Sequence, residues 1–363
     1  MSEGRAEQFD ATAERDPANP SPSCRRARGV LRPISVAPMM DRTDRHFRYF
    51  MRLISARALL YTEMVVAQAI LHGNRDRLLG FDPNERPLAL QLGGDDPRTL
   101  ASCARIAEDW GYDEVNLNVG CPSDRVQRGR FGACLMAEPE LVAEMVGAMR
   151  AACSLPVTVK HRIGIDANDG YEDLLHFVDV VREAGPSRFT VHARKAWLSG
   201  LSPRENRMIP PLRYGDVHRL KVDRPAEEIE INGGITSLSE VKEQLEHVDG
   251  VMVGRAAYED PFAFLGVDEE IYGVPGATRT REEVAMAMVP YVARWVERGG
   301  RANSVLRHLH GLFNGNPGAR AYRRVLSTEG PREGADEGVL RRALTARVST
   351  LEASEPVGAA QPM

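Results

Sequence analysis

From Val30 to about Gly273, short apolar or β-branched runs alternate with stretches whose apolar residues recur at helical spacing. The alternation repeats every ~20 to 40 residues, as in chains of βα units around a parallel sheet. The predicted strands are Pro33–Ala37, Ala58–Thr62, Leu88–Gln91, Glu114–Asn118, Val157–His161, Arg188–His192, Glu228–Asn232 and Gly250–Val253. Eight such strands favour a closed (β/α)8 TIM barrel, an α/β fold, over residues 30–275. After Gly276 the pattern is helical only. Thr280 and Glu283 form a capping box, with Val284, Met288, Val292 and Trp295 following at helical spacing. Pro290 is expected to kink that helix. A small C-terminal helical bundle is therefore predicted over 276–350, between a disordered extension (1–29) and a flexible tail (351–363).

Composition narrows the class. A chain of 363 residues holds one large domain and a smaller one. It has neither a run of about 18 apolar residues nor a signal-type N-terminus, so a cytoplasmic protein without a membrane partner is expected. The five cysteines, Cys24, Cys103, Cys121, Cys134 and Cys153, contain no C-x-x-C pair, which supports neither a disulfide framework nor a metal site. A monomer is the simplest expectation. The net charge of -4 argues mildly against nucleic acid, but the segment 301–324 carries five arginines and no acid. Phosphate backbones respond to such local patches rather than to the average.

The chemistry of a (β/α)8 barrel sits at the C-terminal ends of its strands. Here those ends carry Pro38-Met39-Met40, Thr62-Glu63-Met64, Gln91, Asn118, Lys160 with Arg162, His192, Asn232-Gly233-Gly234 and Gly254-Arg255. A barrel serving only structure would need no such convergence of polar groups. Just beyond the fourth strand, Cys121 lies between Gly120 and Pro122 on a loop that presents the thiol. Cysteine is ordinarily a small buried hydrophobe, but this position suits a reagent, and a cysteine thiol is mostly protonated at neutral pH. The turns Asn232-Gly233-Gly234-Ile235 and Gly254-Arg255 follow the seventh and eighth strands, where such barrels bind phosphate. Either turn alone could be a plain chain reversal; together they fit a cofactor with one phosphate. Lys160 and Arg162 share a strand face by the period of two and suit an anionic cofactor. His192 alone reads as readily as a structural histidine. Arg204 with Arg207, and Arg320 with Arg323 and Arg324, are spaced to follow a phosphate backbone.

These residues resemble the tRNA-dihydrouridine synthases, most closely their A subfamily, over about Ser35 to Leu326. The motifs are Ala37-Pro38-Met39-Met40-Asp41-Arg42-Thr43-Asp44, Asn116-Leu117-Asn118-Val119-Gly120-Cys121-Pro122 with Gly132-Ala133, Val159-Lys160-His161-Arg162, Val191-His192-Ala193-Arg194, Asn232-Gly233-Gly234-Ile235 and Val253-Gly254-Arg255. The resemblance implies reduction of the C5–C6 bond of D-loop uridines at tRNA positions 20 and 20a, with FMN in the barrel and NADPH (or NADH) as reductant. It implies FMN contacts at Pro38, Met39, Met40, Gln91, Lys160, His192, Asn232, Gly233, Gly234, Gly254 and Arg255. By the same likeness Cys121 is the proton donor, and Asn118, Arg204, Arg207, Arg320 and Arg323 contact tRNA. Two rivals stand beside it: a flavin barrel resembling dihydroorotate dehydrogenases and acting on a free pyrimidine, and a catalytically silent RNA-binding protein.

Overall fold

The computed structural model describes residues 32–276 and 279–352, so the N-terminal extension and residues 353–363 of the expected tail lie outside the described residues, while 351 and 352 end a helix. Nine parallel strands are present: β1 (Ile34–Val36), β2 (Leu59–Tyr61), β3 (Val65–Val66), β4 (Leu88–Gly93), β5 (Glu114–Val119), β6 (Val157–Arg162), β7 (Arg188–His192), β8 (Ile229–Asn232) and β9 (Gly250–Val253). Their order is β2-β1-β9-β8-β7-β6-β5-β4-β3, and pairing of β2 with β4 closes the barrel. All eight predicted strands are found. The ninth, β3, continues β2 along the same edge of β4. Leu60 faces Leu88 whereas Val65 faces Leu92, so one side advances five residues while the other advances four. The extra residue is a bulge at Thr62–Met64 that turns Glu63 toward the mouth, where its carboxylate accepts the Asp41 amide.

The strands are two-sided in a sense opposite to an oily barrel. Val115, Leu117, Val119, Val157, Val159, Ile229 and Ile231 are fully buried in the main core beneath the surrounding helices. The intervening residues, including Glu114, Asn116, Asn118, Thr158, Lys160, Arg188 and Glu230, bond across the barrel interior.

After the barrel, helix Arg281–Glu297 starts at the expected capping box, with Thr280 and Glu283 bonded reciprocally, and it continues as one helix through Pro290. Helices Ala302–Leu306, Ala319–Glu329 and Gly338–Glu352 complete the bundle. Their core is Met288, Val292, Leu306, Phe313, Tyr322, Leu326 and Leu340. The bundle packs directly on the first barrel helix, Arg45–Arg52. Asp44 caps that helix by accepting the His46 and Phe47 amides at 2.9 and 3.1 Å, and also accepts Arg307 Nη2 at 2.6 Å and His308 Nε2 at 3.0 Å. Burial pushes its carboxyl pKa up, but His308, His46 and Arg307 outweigh that and hold it well below the usual carboxylate range. Beside it the His46 Nδ1 meets the Tyr291 hydroxyl at 2.9 Å.

Candidate active site

The floor of the barrel is an ion network. Arg188, 4% exposed, donates to both Glu114 oxygens at 2.8 and 2.6 Å and to the Tyr61 hydroxyl at 3.0 Å. Glu228 and Glu230 lie 3.3 and 3.7 Å from the same guanidinium. Ser35 and Thr190 donate to Glu230, and Thr158 donates to Glu114. Burial works against the charge on Arg188, but the surrounding acids raise its pKa well above the ordinary value. A run of amides leads upward from this floor. Asn116 accepts Gln91 Nε2 at 2.8 Å, and Gln91 accepts Asn118 Nδ2 at 2.8 Å.

The thiol loop closes on the top of that run. Asn118 Oδ1 accepts the amides of Gly120 and Cys121, each at 3.0 Å. The Gly120 carbonyl accepts Arg162 Nε at 3.1 Å, and the Cys121 carbonyl accepts the Ala133 amide at 2.9 Å. Gly132, at φ +81°, makes the last of these bonds possible, since a Cβ there would stand 2.5 Å from the Cys121 carbonyl oxygen. Cys121 is half-buried and free. Its backbone is thus fixed from three directions while its side chain stays accessible.

Lys160 and Arg162 share the inner face of β6 as expected, but only Lys160 keeps its head group in the mouth. Arg162 instead holds the carbonyls of Gly120, Lys195 and Asn206 at 3.1, 3.2 and 3.0 Å, binding the loops after β5 and β7 together. The reading of Arg162 as a cation offered to a cofactor is narrowed accordingly: its Nε and Nη1 already have backbone partners. Lys160 Nζ donates to Asn232 Oδ1 at 2.9 Å, and Asn232 Nδ2 to the Met252 carbonyl at 2.8 Å. Burial, aided by the charge of Arg162, lowers the Lys160 pKa to about 7. Burial and the cations Arg162, Lys160, Arg194 and Arg207 push His192 well below the usual range, so its imidazole is neutral.

Across the mouth, Gly233 and Gly234 have φ +119° and +76°. A Cβ on Gly233 would lie 2.7 Å from His192 Cδ2, and one on Gly234 2.5 Å from Leu212 Cδ1. The Tyr214 hydroxyl fixes this turn by donating to the Gly233 carbonyl at 2.5 Å. Gly254 caps the short helix Arg255–Glu259, which brings Arg255 to the same rim.

The remaining predicted residues divide. Gln91 and Asn118 are buried and already bonded to each other and to the thiol loop, while Met39 is half-buried and Met40 is 58% exposed. Arg204 and Arg207 bracket the 3-10 turn Glu205–Arg207 and are both exposed. The Arg162 guanidinium that holds the Gly120 carbonyl also holds the Asn206 carbonyl, so this loop belongs to the mouth. Arg320 is exposed on helix Ala319–Glu329, whereas Arg323 is half-buried and donates to Asn314 Oδ1 at 2.7 Å. Sequence reasoning missed the floor network, Arg162 as a brace, and Asn206, which is fully buried and bonds Trp197 and Leu201. The floor had a signal: Glu114, Thr158, Arg188, Thr190 and Glu230 lie in phase on the inner positions of their strands. Among the described residues no cluster of ligands for a metal ion is present.

A parallel (β/α)8 barrel with a fixed thiol, a buried lysine and a glycine turn at its C-terminal mouth, and a helical bundle packed beside it, defines a barrel enzyme with accessory helices. Comparison makes the class specific. The dihydrouridine synthase (Dus) family profile matches residues 35–347. The tRNA-dihydrouridine(20/20a) synthase of Synechocystis sp. is 61% identical over 317 residues, 87% of this chain and 95% of that protein. The proteins of the same description from Shewanella oneidensis and Escherichia coli O6:H1 are 59% and 55% identical, over 87% and 85% of this chain and 94% of each relative. The chain belongs to the dihydrouridine synthase family.

Proposed function

We propose that this protein is an FMN-dependent oxidoreductase that reduces the C5–C6 double bond of D-loop uridines of tRNA, at positions 20 and 20a, using NADPH. The observation that carries the reading is the Cys121 loop, held rigid at the mouth by Asn118, Arg162 and Ala133, in a chain over half identical to synthases of that description along nearly their whole length.

The residues present fit an anionic flavin. The Gly233–Gly234 turn leaves no room for a Cβ beside His192 and Leu212, so its backbone is what it offers as a cradle, and Arg255 supplies a cation beside it for a phosphate. Pro38, Met39, Met40 and Gln91 would border the ring, with Lys160, His192, Asn232 and Gly254 completing the site. FMN, when bound, supplies the hydride that adds to C6 of the uracil. Cys121 holds the proton that completes the reduction at C5, so that one hydride and one proton saturate the bond. Lys160 is able to gain a proton near neutrality and so to offset negative charge arising close to it. His192, kept neutral, offers a hydrogen bond without adding a competing charge. Arg204 and Arg207 on the barrel, with Arg320 and Arg323 on the bundle, would grip the RNA backbone from two sides, and Asn118 would meet the uridine while orienting the thiol loop. No helix among the described residues is long and apolar enough to cross a membrane, and we assign the protein to the cytoplasm as a monomer.

The direct test maps dihydrouridine in tRNA from cells with and without the gene; unchanged levels at 20 and 20a reject the reading. In vitro, Cys121→Ala should let NADPH reduce the flavin normally yet slow dihydrouridine formation by about 10²-fold or more. Product formation at the wild-type rate would remove Cys121 from the role.

A further inference from the structure

Among the described residues seven large apolar side chains are exposed, and four of these, Met40, Trp197, Met208 and Ile209, lie on loops that follow barrel strands. A single exposed hydrophobe needs no explanation. Met208 and Ile209 are consecutive, 55% and 60% exposed, and directly follow Arg207.

The loop that carries them is fixed. On one side Asn206 accepts the Trp197 amide at 2.8 Å and donates to the Trp197 and Leu201 carbonyls at 3.0 and 3.1 Å. The amides of Met208 and Ile209 both donate to the Glu205 carbonyl at 2.8 Å, and Arg194 holds the Pro210 carbonyl. Arg162 binds the Asn206 carbonyl with the same guanidinium that holds Gly120. The apolar tip and the thiol loop are therefore braced by one side chain. A rigid apolar tip beside exposed arginines matches a partner with an anionic backbone and apolar faces, which describes the stacked bases of a nucleic acid.

We propose that Met208 and Ile209 form a wedge that enters the base stack of the RNA where the target uridine leaves it. The inference rests on the tRNA-reductase reading above. A base taken out of its stack leaves the faces of its neighbours uncovered, and apolar side chains inserted at such a step cover them and keep the gap open. The flexible thioether of Met208 adapts to whichever base it meets, while β-branched Ile209 gives the tip stiffness. In this arrangement Arg204 and Arg207 position the backbone and the wedge holds the uridine at Cys121.

The test uses the full-length flavoprotein, a Met208→Ser/Ile209→Ser variant and a Met208→Leu/Ile209→Leu control, with tRNA carrying 2-aminopurine next to the target uridine. At saturating protein the wild type and the leucine control should raise 2-aminopurine fluorescence, and the serine variant should leave it quenched. Single-turnover dihydrouridine formation by the serine variant should fall by about 10- to 100-fold, with the flavin reduced by NADPH at the wild-type rate. Wild-type fluorescence and turnover in the serine variant would overturn the proposal. So would a changed KM for NADPH or a changed sedimentation state with fluorescence intact, which would assign the tip to the nicotinamide cofactor or to self-association. A wild-type protein that raises the fluorescence but forms no dihydrouridine would leave the wedge standing and reject the reductase reading instead.

Discussion

Replacing Arg188 with Met removes the guanidinium that Glu114, Glu228 and Glu230 share at the barrel floor. Glu114 and Glu230, 3% and 0% exposed, would then lose their ion-pair partner while staying buried. Removing one partner of a buried ion pair typically costs about 3–5 kcal/mol, because the other charge stays desolvated, a large part of the ~5–15 kcal/mol that holds a protein folded. The sign with pH follows from burial. In the variant burial favours the neutral, protonated form of the stranded carboxyls, as it already does at Glu228, whose pKa burial raises above the ordinary value. The penalty is complete above the folded pKa and disappears as pH falls toward the unfolded one. Urea unfolding of wild type and variant at about pH 8 and about pH 5 should therefore show a larger deficit at the higher pH. Adding Glu114→Gln should recover part of it at about pH 8. An equal deficit at both pH values, or one below about 1 kcal/mol, would refute the account of the floor as a charge-compensated network.

Gly233→Ala places a Cβ at φ +119° and 2.7 Å from His192; the purified variant should be folded but poor in flavin, read from the absorbance ratio, and full occupancy would remove the cradle. With Lys160 titrating at about 7, an anionic cofactor that favours its charged form should bind more weakly as pH rises from about 7 to 9, by at most about tenfold per unit. Flavin titration should show that slope in the wild type and its loss in Lys160→Gln. Changing Arg320 and Arg323 to Ala should weaken tRNA binding and lower its salt slope by roughly one unit for each phosphate the helix no longer neutralises. Unchanged affinity across a salt series would exclude that helix from RNA recognition.

The barrel strands were legible because Val115, Leu117 and Val119, like Ile229 and Ile231, mark the outer face at a period of two. The same alternation left the inner face unread. Glu114 and Arg188 stand at strand starts, where a charge usually meets solvent, and only closure of the sheet brings them within 2.6 Å across some 70 residues of chain. Cys121, Lys160 and the glycine turns were visible through their places at strand ends. Arg162 shows the limit of that reasoning: spacing gave its face, but its carbonyl partners come from two loops whose paths no local pattern encodes. The short strand β3 was missed because two valines are too few to show a period.

Asp44 sets a length. One carboxylate begins the first barrel helix and holds Arg307 and His308 of the bundle, so the span from Arg320 to Cys121 is built into the protein as in a caliper rather than left to a hinge. For a reductase of the proposed kind, the nucleotide treated is then whichever one lies at that span from the gripped phosphates. Its identity as a base matters less than its distance, and inserting one nucleotide into the D-loop would move the modification along the chain instead of abolishing it.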